Sequence, residues 1–336
     1  MTDLPPELLI LAPLALAAGI DLYLTLLFLG AAPTTPWWDH PLPGALGDLD
    51  SLGVFITVGA FYILEFAAER FEPAALVWNA FHAVIRPVSG GLLALLLLEG
   101  QGLAILLPGV ALAAALASVA HAVRSGGAIL RWLSPATSPH VLLLSLLEDA
   151  VVLAIVVLTL DLPNWAAGVS VALLLVSAPT TPSHVRAFAF AVRLAADRAF
   201  QTLAQRRWLG QDELPAWVRR SLAGDVLAPG GGLRGSPAGA HRLPGARRFS
   251  TGWVVVRGGS PIFVYRKRPG RPSVIDLGEL VSERVSDTGF FRRVDLTSKG
   301  GPGVCIFFSV NGPSEEILRA EFLFREQERR RTARIR

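Results

Sequence analysis

The chain has 336 residues, 52% of them hydrophobic, and a mean hydropathy of +0.48, an excess that excludes a soluble enzyme built around one core. Charge is divided as unevenly: up to Thr180 there are 4 basic and 13 acidic residues, beyond it 27 basic and 14 acidic, within a formal net charge of +4. One half is composed for lipid and the other for water, and the single Cys305 excludes an intramolecular disulfide or a cysteine metal site and fits a reducing compartment.

In chain order, apolar windows of about 20 residues, the length a helix needs to cross the hydrocarbon core, fall at 8–30, 52–71, 75–99, 102–123, 139–160 and 163–180. They predict an all-α membrane bundle of about six spans over 8–180. The first window follows Asp3 and Glu7, has no basic region before it and contains Asp21, so it reads as a retained span and not a signal peptide. In the third, Trp78, Asn79, His82 and Arg86 precede Pro87 and Gly90-Gly91, which predicts a kink or a break, or a short interfacial helix followed by a shortened span. Arg70, Arg86, Arg124 and Arg131 all fall on one side of a six-span scheme, while the loop 31–51 has no Lys or Arg. That asymmetry predicts a multi-pass cytoplasmic (inner) membrane protein with both termini cytoplasmic. Spans one to three and four to six then run in opposite senses, as in a three-plus-three inverted repeat with Glu65 and Glu148 as counterparts. The pentapeptide Ala-Pro-Thr-Thr-Pro, at 32–36 and again at 178–182, reads as a shared helix stop.

Residues 183–210 follow as an amphipathic basic helix. Val185, Phe188, Val192, Ala195, Ala199 and Leu203 form its apolar line and Arg186, Arg193, Arg198, Arg206 and Arg207 its basic one, suited to anionic lipid headgroups or to a stalk. The stretch 227–246 is rich in Gly and Pro and reads as a flexible linker. From 248 to 336 the period turns to alternation: strands are predicted at Gly252–Arg257 and Pro261–Lys267 around a Gly258-Gly259-Ser260 turn, then at Ser273–Leu277, Phe291–Thr297 and Val304–Val310. With a helical pattern from Pro313 onward, this is a small cytoplasmic β-meander domain with a terminal helix.

Asp21, Glu65, Glu148 and Asp149 lie inside the apolar windows. A carboxylate at the bilayer centre costs roughly 2.5–3.5 kcal/mol on insertion scales, so these residues are expected to face a polar interior. Glu65 and Glu69 stand four apart on one helical face, His82 and Arg86 four apart on another. Together they suit a proton relay or an anion site, and equally a charge-neutral clamp between helices. Adjacent Glu148 and Asp149 point about 100° apart on a helix and need different partners, among Glu65, His121, Arg124 and Arg86.

The order Glu65, Glu69-Arg70, Trp78, His82, Arg86-Pro87 and Gly90, then His121, Arg124, Ser134-Pro135, Ser145, Leu146, Glu148 and Asp149, resembles domain of unknown function 4126, a group of bacterial integral membrane proteins. The likeness covers about residues 10–180. It departs at Ala75 and Asn79, where the family pattern has acidic residues, and around Ala136 and His140, where a Glu and an Asn are usual. It implies a membrane bundle but no mechanism, because the family has no established activity, and the β-rich tail lies outside it.

Motifs of enzymes are missing: no phosphate-binding glycine-lysine loop, no His-Glu-x-x-His, no Gly-x-Ser-x-Gly. No catalytic set, metal or cofactor is expected. On a tethered tail the basic runs Arg266-Lys267-Arg268 and Arg329-Arg330-Arg331 suit solvent or acidic lipid better than nucleic acid. Two readings follow. One is a carrier or channel for a small solute or protons, with a polar core of Asp21, Glu65, Glu69, His82, Arg86, His121, Arg124, Glu148 and Asp149. The other is a structural or regulatory membrane anchor that presents the β-domain to a protein or lipid partner.

Overall fold

A computed structural model describes residues 7–36, 41–132, 141–199, 207–222, 232–257, 260–268, 271–278, 280–289, 291–297 and 303–322. The chain divides into two compact units, with the main boundary in the sequence between Phe188 and Ala189.

The first unit is helical: α1 (Glu7–Ile20), α2 (Leu22–Ala31), α3 (Leu52–Ala68), α4 (Glu72–Leu97), α5 (Leu103–Trp132), α6 (Val141–Asp161), α7 (Pro163–Ser177) and the start of α8 (Thr181–Ala199). Among the described residues three helices are long and apolar enough to cross a bilayer, through Ala74–Leu97, Leu103–Arg131 and Leu143–Asp161. Two bent pairs raise the number to five if each is one span: a 3-10 segment at Gly44–Asp50 meets α3 at 81°, and α7 meets α8 at 79°. The six apolar windows thus give three to five spans. At about 1.5 Å per residue the 14 residues of α1, 10 of α2, 17 of α3 and 15 of α7 each fall short of a hydrocarbon core of about 30 Å. Nor do the described helices divide into two like sets of three, because the first window is broken at Asp21 while α5, its counterpart in an inverted repeat, runs straight through 30 residues.

Burial sorts the helices. From Pro13 to Gly19 every residue of α1 is buried, and the helix packs on α4, α6 and α7. A segment apolar all round belongs in the middle of a bundle. By contrast α3 buries Val58 and Glu65 and turns Phe55, Ile56, Ile63 and Leu64 outward, as a lipid-facing helix does. Small residues set the spacing: a Cβ added to Gly19 would stand 2.6 Å from the Ala117 carbonyl oxygen, and one added to Gly90 2.8 Å from that of Ala113. Contrary to the expected break, α4 runs unbroken from Glu72 to Leu97 with Pro87 inside it. Gly90 and Gly91 serve its approach to α5, where an added Cβ at Gly91 would meet Val110 at 3.3 Å, and do not end the helix.

The repeated pentapeptide stops a helix in both places. After α2 the Thr34 hydroxyl donates to the Ala31 carbonyl at 2.8 Å, and after α7 the Thr180 hydroxyl donates to Ser177 at 3.0 Å. The basic amphipathic segment is helical as α8: Phe188 and Ala195 of the expected apolar line are buried, with Ala187, Phe190, Ala191 and Leu194 beside them, whereas Val185 is 38% exposed and Ala199 is exposed. Contact is close at the start of the helix: a Cβ at Gly126 of α5 would stand 2.1 Å from the His184 carbonyl oxygen. Leu203 and Arg206 lie outside the described residues.

The second unit is a sheet domain: β1 (Leu209–Gly210), α9 (Ala216–Leu222), β2 (Arg234–His241), β3 (Phe249–Arg257), β4 (Ser260–Arg268), β5 (Arg271–Asp276), β6 (Val281–Asp287), β7 (Phe291–Thr297), β8 (Val304–Ser309) and α10 (Glu315–Phe322). All strands are antiparallel in the order β5-β4-β3-β2-β8-β7-β6, with β1 on the start of β2. This is not a simple meander. Strands β2 to β5 step outward, the chain crosses to the far edge, and β6 to β8 step back until β8 pairs with β2.

The stretch expected as linker therefore holds the central strand. Small residues fill β2 because its neighbours are bulky: a Cβ at Gly239 would meet the Phe249 and Phe190 rings at 3.0 and 3.1 Å. Pro237 is tolerated because it lies between the two short ladders on that edge, β1 pairing through Gly235 and β8 from Ala238 onward. Residues 227–231, Gly258, Gly259 and everything beyond Phe322 lie outside the described residues. Alternation gives the sheet two buried faces. Val254, Val256, Phe263, Ile306 and Phe308 pack with Trp208, Leu318 and Phe322, whereas Val255, Ile262 and Val264 pack under Leu214, Val218 and Leu222 of the α9 segment. The core of this unit thus reaches back to Trp208, well before residue 248.

Arg292 closes the sheet domain. Nearly inaccessible, it donates from Nη1 to the carbonyls of Val310, Gly312 and Pro313 at 3.1, 3.0 and 2.8 Å, and from Nε to Asp287 at 2.9 Å. Replacing it by methionine keeps bulk but strips these acceptors of their donor, so Arg292→Met should cost about 3–5 kcal/mol. Denaturant dependence of hydrogen exchange in β7 and β8 of the full chain measures it.

His241, on β2, is fully buried. Burial, and then the positive charges of Arg242 and Arg248, hold its ring at about 4, against an ordinary value of 6.5. Between those two values the unfolded chain binds a proton that the folded chain refuses, so stability is complete above pH 6.5 and lost as pH falls toward 4. Exchange protection of β2 and β8, corrected for intrinsic rates, should decline in that window, and His241→Gln should flatten the decline.

Candidate functional site

Asp21 sits alone in extended geometry, φ −139 and ψ 102, between α1 and α2. A break of this kind leaves carbonyls at the end of one helix and N–H groups at the start of the next without intrahelical partners, which an apolar bundle penalises. Side chains supply the partners. The Asp21 carboxylate accepts from the Leu24 amide at 2.9 Å and caps α2, as Asp does at helix starts. Arg86 answers the other end, donating from Nη1 to the carbonyls of Ala18 and Gly19 at 2.9 and 3.1 Å. It does so 14 residues into α4, about 21 Å along the axis, and with no exposure at all. The sequence placed Arg86 at the entry of its span; the unbroken α4 carries it deep into the bundle.

The second arm of Arg86, Nη2, meets Glu65 of α3 at 2.5 Å. From there the charges continue. Arg124 of α5 holds Glu69 in a fork, Nη1 and Nη2 at 2.6 and 2.9 Å, and also reaches Glu65 at 3.3 Å and Glu148 of α6 at 3.1 Å. Arg131 then meets Glu148 at 3.5 Å. Side-chain exposure rises along this series, from 0% at Arg86 and 4% at Glu65 through 8% at Arg124, 22% at Glu69 and 28% at Glu148 to 36% at Arg131. The network is a ladder of alternating charge from the helix break to an open end. At its closed end the Oε2 atom of Glu65 and the Nε of Arg86 have no hydrogen-bond partner among the described residues.

Beside the ladder runs a second set of hydrogen bonds. His82 Nδ1 lies 2.9 Å from the Trp78 carbonyl, which can only accept, so in the neutral ring Nε2 is the acceptor for the Tyr23 hydroxyl at 2.8 Å. His121 donates to the Asn79 carbonyl at 3.1 Å, and Ser125 donates to Asn79 Oδ1 at 2.7 Å. Asp149 accepts from the Tyr62 hydroxyl at 3.1 Å.

Of the nine candidate residues, Glu65, Glu69, Arg86, Arg124 and Glu148 meet in the ladder, with Asp21 at its inner end. His82, His121 and Asp149 make their bonds outside it. Glu148 and Asp149 do take different partners, as their angular separation requires. Tyr23, Tyr62 and Ser125 escaped the sequence reading, and Arg131 entered it only as a signal of orientation. Tyr62 stands three residues before Glu65 and Ser125 four after His121, so helical spacing carried a signal for both. Cys305 adds no second site: burial pushes its thiol up to about 12, and it donates to Asp295 at 3.1 Å.

The family pattern described as "Domain of unknown function (DUF4126)" matches residues 8–181, and all nine candidates lie within that match. The chain belongs to the DUF4126 family. No curated protein and no solved structure matches it. Within this DUF4126 domain the departure at Asn79 has a structural counterpart: the amide donates to the Ala75 carbonyl at 2.9 Å and accepts from Ser125, a neutral bridge where an acid is the expected residue.

The innermost pair should show strong coupling. Arg86→Met leaves Glu65 facing the bundle without its nearest cation and exposes two helix carbonyls, a loss of about 3–5 kcal/mol. Glu65→Gln in addition should restore part of that loss. Thermal unfolding of the four proteins in nanodiscs gives the cycle, and strict additivity would show that the two side chains do not interact.

Proposed function

We propose that the DUF4126 domain is a membrane conductor of protons or of a small solute, with the ladder from Asp21 to Arg131 as its polar path. The observation that carries this reading is the rise of exposure along an unbroken charge series that begins at a broken helix. Interrupted helices whose free ends meet polar side chains inside a bundle are the usual construction of solute and ion sites in transporters. Charge balance points the same way. Five carboxylates, Asp21, Glu65, Glu69, Glu148 and Asp149, face three guanidiniums, Arg86, Arg124 and Arg131. Were all of these ionised the acids would outnumber the guanidiniums, an excess that protons or a cation would offset in an apolar setting.

The open end of the ladder carries Arg131, and Arg70, between α3 and α4, follows Glu69 in sequence. We assign this end to the cytoplasmic side of an inner membrane by the positive-inside rule. Basic residues of α8 such as exposed Arg193 then suit anionic headgroups.

A second reading, a structural or regulatory anchor presenting the sheet domain, is favoured by Arg124, which ties three carboxylates from α3 and α6 as a static brace would. Asp21→Asn separates the two. Asparagine caps a helix as well as aspartate, so the break survives while the charge is lost. In proteoliposomes holding a pH-sensitive dye, the wild type should pass protons under an imposed potential and Asp21→Asn should lower that flux at least about tenfold with unchanged thermal stability. A wild type with no flux above that of empty liposomes for protons or solutes supports the anchor.

A further inference from the structure

We infer that the α9 face of the sheet domain is a docking surface for an anionic lipid bilayer, a property independent of conduction by the helical domain. The face is built where α9 covers β3 to β5. Leu214, Val218 and Leu222 turn inward onto Val255, Ile262 and Val264. Trp217 and Trp253 pack at the margin of this cluster and stay half-buried. Arg220, three residues after Trp217 and so on its flank of the helix, is exposed, as is Arg266. Val274 of β5 pairs with Val264, faces the same side and is 46% exposed. Lys267 adds a further exposed cation at the end of β4.

Aromatic, aliphatic and cationic groups at one rim form the composition that enters a headgroup layer: indoles at the interface, a small apolar side chain below it, guanidiniums on the phosphates. Among the described residues Arg220, Arg266 and Lys267 form no ion pair, so their charge is available to a partner. Of the acids near this face, Asp276 accepts from the Gly278 amide at 2.7 Å and Glu213 pairs with Arg207 at 3.0 Å.

Two observations favour lipid over nucleic acid. The Trp217 ring is already covered by the Arg266 guanidinium, 4.6 Å from its centroid, which removes a platform that a base would stack on. Exposed Val274 gains nothing from a phosphodiester chain but gains from hydrocarbon. The domain is also covalently continuous with apolar membrane-length helices, so even weak surface affinity acts at high effective concentration.

The test uses the full chain in nanodiscs of phosphatidylcholine alone or mixed with phosphatidylglycerol. A nitrobenzoxadiazole label is placed at Val274→Cys in a Cys305→Ser background. Emission should shift to the blue and rise at least about twofold with phosphatidylglycerol, and high salt should reverse it. The pair Arg220→Glu and Arg266→Glu should abolish the response. Hydrogen exchange in β3 checks that the domain remains folded, and where Arg266→Glu disturbs it, Arg220→Glu with Lys267→Glu, which leaves the Trp217 stack intact, replaces it. Emission indifferent to phosphatidylglycerol overturns the proposal, as does a response that survives charge reversal. A response to single-stranded RNA but not to anionic lipid overturns it in favour of nucleic acid.

Discussion

A guanidinium, Arg86, makes it possible for the central helix of the bundle to be broken. Without a donor at that point the carbonyls of Ala18 and Gly19 would face apolar side chains, at a cost of several kcal/mol for each unpaired group. A lysine would serve poorly. It offers a compact ammonium, whereas Arg86 uses two separate nitrogens, one for the carbonyls of α1 and one for the Glu65 carboxylate. Placing that planar group inside the bundle then dictates much else: an acid within reach on α3, small residues where α1 and α4 approach α5, and a cap of its own for α2.

The acid creates the next requirement. Glu65 cannot stand beside Asp21 and Glu69 with Arg86 as sole cation, and α5 answers with Arg124, which in turn draws Glu148 from α6. Each charge is thus explained by the one further in. Such a sequence of demands could have been closed early, with one arginine and one acid. It continues instead to the surface, through four helices, and the proposed conduction rests on that continuation.

How much of this the sequence made legible depends on which physical term dominated at each place. Polar residues inside apolar windows were unambiguous, because the cost of burying charge leaves few places for them, and six of the nine candidates gather at the ladder. Pairing was readable at Glu148 and Asp149, where helical angles forbid a common partner. The break at Asp21 was not read, although an Asp before a run of helix formers is an N-cap signal; inside a long apolar window the hydropathy outweighed it. Pro87 and Gly90-Gly91 misled in the opposite sense, since in membrane helices small residues mark contact as often as flexibility. The same confusion hid β2: Arg-Gly-Ser-Pro-Ala-Gly-Ala-His has the composition of a linker, and only the bulk of Phe249, Phe190 and Phe307 around it explains why a central strand should be so small.

Arg292 in the sheet domain offers a comparison that sharpens the reading of Arg86. Both are buried guanidiniums that gather backbone carbonyls where a chain segment ends, and both hold one carboxylate. Arg292 serves the turn after β8, and its acid, Asp287, lies five residues away on the neighbouring strand, so the device closes on itself and acts as a strut. Arg86 is different in what lies beyond its acid. Glu65 hands its bound oxygen on to Arg124, which carries the series to Glu148 of α6. The pairs that lead on from Glu65 through Arg124 to Glu148 and Arg131 are what a self-closed strut like Arg292 does not need.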